Sequence, residues 1–319
     1  MTNISISGTR FLIPQRWNEL TREQFRIIVE VLSAPVLYDA ALLNLFLRFS
    51  GLKVMQQQHE QPDFWILVNQ KSKTKNQKFV LSTWQLVELS ACMKWIFEPV
   101  NTPATNGTDT KLEHAASCKL TRNLLPRITL HSPLSTLHYF GPSDALANLR
   151  FSEYIYAETA HRRYLESGDD RDLHELVATL WRPRRFWLRK KSVKWNGDPR
   201  RAFNPFLTDR YVRRVATADP VELRMILMWY QACGLLLQKK FPDMYTRVSA
   251  EVKKNKSKNR AAAETFESFM KMVNSLADDD VTRKDAIREA YLYDALETLN
   301  DMVRRNKELE TRNPKHRTR

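Results

Sequence analysis

Residues 225–237 read MILMWYQACGLLL, the longest apolar run without a charge in the chain. A helix needs about twenty such residues to cross a bilayer, and this run is too short. Asp219 as N-cap, Pro220 as the first helical residue and Glu222 in the first turn predict the start of this helix, and Pro242 predicts its stop. A helix over 221–240 with no polar face has to be buried, so other helices must surround it.

The flanking sequence supplies them. Thr21 with Gln24 forms a capping box, and Leu20 with Phe25 a hydrophobic staple. Phe25, Ile28, Val29 and Leu32 then recur on one face, and Pro35 breaks the helix. A second helix, from Val36 to Ser50, ends at Gly51. Ser82 with Gln85 opens a third, to Phe97, with Trp84, Val87, Leu89, Met93 and Ile96 on one broad face. Helices resume at Ser143 and run to Gly168. The next, capped by Asp170 or Asp172, carries Leu173, Leu176, Val177, Leu180 and Trp181 and stops at Pro183. A last helix starts near Thr282 with Asp285 in a capping box, and its apolar stripe is Ile287, Tyr291, Ala295, Leu299 and Met302. Only FWILVNQ and QKFVLS, around a Lys-rich turn, read as strands.

The expected fold class is therefore mainly α: about ten helices and one small β-hairpin near residues 64–81. Residues 1–99 read as an N-terminal helical region containing that hairpin. Residues 100–118 read as a linker or long loop. Residues 119–250 form a central helical domain, irregular up to about Pro142. Residues 251–319 form a C-terminal helical region with a basic tail.

Local motifs for chemistry are missing. The chain has 7 glycines, no two of them close, so neither glycine-rich phosphate loop is present. Its 7 histidines and 3 cysteines fall in no metal-ligand spacing, and the cysteines form no disulfide framework. Cys92 and Cys233 sit in apolar helical patterns and read as buried thiols. His131 and His138 flank a proline-containing loop and read as structural. No cofactor or metal is expected. The N-terminus lacks the basic and apolar regions of a secretory signal.

The formal net charge is +15, which favours acidic partners. The cations cluster at Lys71–Lys78, at Lys253–Arg260 and in the tail, but most densely in 182–201. Between Trp181 and Arg201 stand nine Lys or Arg against one acid, Asp198, with Trp187 and Trp195 among them. Trp181 completes a helical stripe and belongs to the core. Arg184, Arg185, Trp187, Arg189, Lys190, Lys191, Lys194 and Trp195 are the candidate contacts. Trp and Arg are enriched at protein hot spots. Aromatics among cations also suit single-stranded nucleic acid, and a surface loop tucking its Trp inward fits too. A protein contact is the preferred reading, with nucleic acid as the alternative. An enzyme whose cleft is assembled from distant residues is the third reading.

Three phrases occur in a familiar order: WNELTREQF; NLRFSEYIYAET with LHELVATLWRP, GDPRRAFN and ILMWYQACGLLLQKKFPDMY; and YLYDALETLNDMVRRNKELE. This order resembles a family of bacteriophage and prophage structural-cluster proteins of Bacteroides-type bacteria, labelled tail assembly chaperone-like. The resemblance covers most of the chain through helical phrases. It implies a helical, non-enzymatic morphogenesis protein that meets phage structural or tail proteins. That places it in the cytoplasm of a bacterial host or in the virion, with no membrane segment and no catalytic residue to carry over. The segment after Pro183 is not matched by the family pattern.

Overall fold

The computed structural model describes residues 1–57, 63–70, 77–97, 118–132, 135–185, 197–245, 261–277 and 280–312. It divides into two compact units, Met1–Leu120 and Thr121–Arg319. The described residues are mainly helical, with three small sheets.

The first unit opens with a hairpin of β1 (Thr2–Ile6) and β2 (Thr9–Ile13). Its two-residue turn, Ser7-Gly8, has positive φ at both positions, +46° and +82°, the geometry whose twist matches a hairpin. Helix α1 (Arg22–Ser33) is capped as expected. Thr21 Oγ1 accepts from the Gln24 amide, and the Gln24 side chain accepts from the Thr21 amide. Leu20 and Phe25 are fully buried beside it. Helix α2 (Tyr38–Ser50) ends at Gly51, which is left-handed at φ +74°.

The expected hairpin is present as β4 (Phe64–Asn69) and β5 (Lys78–Ser82), but β3 (Leu52–Gln57) pairs with β4 and makes it a three-stranded antiparallel sheet. Helix α3 (Thr83–Ser90) has the expected Ser82–Gln85 capping box, then tightens into a 3₁₀ segment, Ala91–Phe97. Trp84 and Val87 were expected on its buried face and are instead 75% and 51% exposed. The buried face is Leu86, Ser90, Met93, Ile96 and Phe97, in which Leu86, Ser90, Met93 and Phe97 follow the spacing i, i+4, i+7, i+11, and Trp84 lies on the opposite side. Cys92 is only half-buried.

In the second unit the stretch before Pro142, expected to be irregular, holds the antiparallel pair β6 (Arg127–Ser132) and β7 (Ser135–Phe140). Two residues, β8 (Arg182–Pro183), extend this sheet. One hairpin is thus corrected to three sheets. Short strands between closely spaced prolines carry too little periodicity to be read.

Helix α4 (Phe151–Ser167) begins later than Ser143, after a turn in which Ala145 and Leu146 have positive φ. It ends at left-handed Gly168. The cap of α5 (Asp170–Leu180) is Asp169, not Asp170 or Asp172. After α6 (Thr208–Val215) comes α7 (Pro220–Lys240), started by Asp219 and Pro220 as expected. Its apolar run is in the core: Met225, Ile226, Trp229, Cys233 and Leu237 are all buried. Trp181 is fully buried edge-on against Trp229 and donates to the Leu125 carbonyl at 2.9 Å. Gly141 makes room for that indole, since a Cβ there would lie 2.4 Å from the ring.

The last expected helix is two, α9 (Val281–Glu289) and α10 (Leu292–Arg312), following α8 (Ala261–Leu276). Asp280 caps α9 by accepting from the Thr282 amide, so the Thr282–Asp285 box does not form. The break lies at Ala290-Tyr291, where Arg150 pairs with Tyr291 by an isolated bridge and Arg150 donates to the Glu289 carbonyl. Leu292, Ala295, Leu296, Leu299 and Val303 of α10 are buried, so this face packs within its own unit.

Candidate interaction site

The basic segment 182–201 enters the structure as two short extended stretches. Residues 183–185 and 199–201 run antiparallel, with the Arg185 amide donating to the Pro199 carbonyl at 2.9 Å and the Arg201 amide to the Pro183 carbonyl at 2.8 Å. Gly197, at φ +85°, and the Asp198 side chain, which accepts from the Arg200 amide, turn the returning strand. Of the candidate contacts, Arg184 is exposed and Arg185 half-buried in this stem. Trp187, Arg189, Lys190, Lys191, Lys194 and Trp195 lie outside the described residues. So do Lys71, Lys73 and Lys75, the run 253–260 and the tail beyond 312.

Beneath the stem lies a buried ionic clasp. Arg182, Arg200 and Glu153 are 1%, 2% and 2% exposed. Arg182 Nη2 donates to Glu153 Oε1 at 2.7 Å, its Nε donates to the Arg201 carbonyl, and its Nη1 donates to the Thr179 carbonyl at the end of α5. Arg200 Nη1 stands 3.2 Å from Glu153 Oε2, an ion pair without good hydrogen-bond alignment. Its other nitrogens engage Asp198 as a fork, and Nη1 also reaches the Leu180 carbonyl.

Burial lowers the Arg182 guanidinium from its ordinary value. Arg200, equally buried, is held up by Glu153 and Asp198. Both remain cations at neutral pH. Two of the nine cations counted in the segment are therefore interior residues, neutralised by Glu153 and Asp198. The sequence reading missed this because Arg182 and Arg200 lie in a charge run that looks solvated. The one available signal was the Gly197-Asp198-Pro199 turn, which brings Arg200 back beside Arg182.

A groove of about 340 Å³ opens beside the clasp. Ile155, Tyr156, Phe203, Phe266 and Met270 line it, with Asp285, Arg288 and Glu289 at one side. Ser152 Oγ, also on the wall, is buried without a hydrogen-bond partner among the described residues. Phe203 ties groove to clasp, since the Arg182 guanidinium lies 5.7 Å from its ring centroid.

Elsewhere in this unit Glu158 is buried with Tyr230, which donates to Oε2 at 3.0 Å, and with Arg162, which donates to Oε1 at 2.8 Å. His161 Nδ1 lies 3.5 Å from Oε2. Burial pushes the Glu158 carboxyl up, but His161 and then Arg162 outweigh it and hold it down at about 2. Burial pushes the Tyr154 and Tyr230 phenols well above their usual range, so both are neutral hydroxyls. None of these residues lines the groove. Burial also pushes the Cys92 thiol to about 11 and the Cys118 thiol to about 12, so neither is poised as a thiolate.

Among the described residues no group of three or more His, Cys, Asp or Glu is placed to hold a metal ion, and no helix is long and apolar enough to cross a membrane. No family model matches the chain, and comparison with curated proteins and with solved structures finds no match.

Proposed function

We propose that the chain is a non-enzymatic phage or prophage morphogenesis protein, of the tail assembly chaperone type, that binds other phage proteins. In this reading it works in the cytoplasm of a bacterial host or in association with the virion. The phage assignment rests on the three helical phrases. The binding role rests on the clasp. Withdrawing three charges from water costs several kcal/mol per ion before pairing returns it. Here that cost goes into fixing Arg182 and Arg200, which stand on either side of residues 186–196, whose sequence concentrates Trp, Arg and Lys. Pre-organising the ends of a binding segment reduces the ordering entropy lost on association.

Co-expression with the neighbouring tail genes, followed by pull-down, tests this. The wild-type chain is expected to retain a tail protein, and Trp187→Ala with Trp195→Ala is expected to lose it. A clean monomer that retains none of them overturns the reading. The nucleic-acid alternative keeps one observation in its favour: with Arg182 and Arg200 set aside, the sequence from 181 to 201 still holds seven cations. It requires micromolar or tighter binding of single strands with a steep salt dependence. It fails if removing the two Trp and their neighbouring cations leaves such binding unchanged.

A further inference from the structure

We propose that the groove beside α4 binds a small quaternary ammonium ligand of the choline class. Three half-buried aromatic rings form its walls. Tyr156 stands 5.2 Å from Phe203, inclined at 57°, and 5.6 Å from Phe266, inclined at 70°. The rings meet tilted and edge to face, not stacked, and together they give the groove an aromatic wall against which a rounded cation can lie. Met270 adds a polarizable thioether to the same surface.

The charge at the rim selects the sign of the guest. Arg288 is paired with Asp285 at 3.2 Å, which leaves the Glu289 carboxylate as the surplus charge. Anions are disfavoured there. A primary ammonium is a compact, strongly hydrated charge recognised through hydrogen-bond acceptors, which in this groove are Ser152 Oγ and the Asp285 and Glu289 carboxylates and not the aromatic rings. A quaternary ammonium needs no acceptors and presents methyl groups to the rings. The volume, about 340 Å³, falls within the range of small-molecule sites. This site shares no residue with the 186–196 segment, so it stands or falls independently of the proposed partner.

The test is titration of the full chain with choline and with 3,3-dimethylbutan-1-ol, its uncharged isostere, by calorimetry or saturation-transfer NMR. Choline is expected to saturate with a dissociation constant of about 1 mM or tighter, and the isostere to bind at least about tenfold more weakly. Phe203→Leu should weaken choline about tenfold. Because Phe203 also packs on Arg182, the exposed-rim variant Glu289→Gln serves as the second arm and should weaken it about twofold or more. Three results overturn the proposal: no saturation by about 10 mM choline, equal binding of the isostere, or unchanged affinity in both variants.

Discussion

Glu153 and Glu158 are both buried carboxylates of α4, yet they acquire their counter-charges by different routes. Glu158 finds His161 and Arg162 one turn along its own helix, at i+3 and i+4. Glu153 finds Arg182 and Arg200 at the two ends of a distant segment. The first cluster assembles as soon as the helix forms. The second exists only once β8 and the returning strand have closed over α4. A local pair reports helix formation, whereas the clasp reports tertiary closure.

The sharpest way to break the comparison is Glu153→Ala. It leaves two buried guanidiniums sharing Asp198 alone, and removing one partner of a buried ion pair costs about 3–5 kcal/mol. Urea unfolding of the second unit should show that loss. A change below about 1 kcal/mol would mean that water already solvates the guanidiniums, and the clasp would be an ordinary surface pair.

The same distinction explains what the sequence made legible. Capping boxes at Thr21–Gln24 and Ser82–Gln85, the Asp219-Pro220 start and the left-handed stops at Gly51 and Gly168 are signals spread over four residues, and all five are in the structure. Burial of the 225–237 run follows from its composition alone. The sheets were legible only at β4 and β5, where apolar runs are long. The strands β6 and β7 are short and bounded by Pro126, Pro133 and Pro142, and β8 is two residues added to a sheet by tertiary contact. Trp84 was misplaced because the face was drawn too broad: at 3.6 residues per turn it lies opposite Met93, which is buried. The candidate contacts shared one run of like charge, and apart from the Gly197-Asp198-Pro199 turn nothing local in that run separates buried Arg182 and Arg200 from exposed Arg184. Burial of a cation depends on a carboxylate elsewhere, and Glu153 carries no mark of its destination.

Acid titration sharpens the local side of the comparison. The Glu158 carboxyl lies at about 2 in the fold against an ordinary 4.5. Its pairing therefore contributes stability in full above about pH 4.5, and that contribution disappears as the pH falls toward 2. At one and a third kcal/mol per unit, the amount lost is on the order of 3 kcal/mol. Glu158→Gln should flatten this limb between pH 4.5 and 2, read as the urea midpoint against pH. A limb of unchanged depth in the variant would move the acid sensitivity to other carboxylates.

The smallest effect belongs to Arg162→Ala. Arg162 donates to Glu158 Oε1 at 2.8 Å, but its side chain is 43% exposed, so solvent screens the pair. Loss of this half-exposed partner should cost no more than about 1 kcal/mol at neutral pH. Glu158 keeps Tyr230 and His161, so it is not orphaned. The substitution also removes one of the side chains that oppose burial at Glu158, so the folded carboxyl should titrate higher, and the acid limb, still beginning near pH 4.5, should be shallower and end at a higher pH. A cost as large as that of Glu153→Ala would mean that the local pair is as indispensable as the clasp. The separation between charges placed by a helix and charges placed by the fold would then not hold on α4.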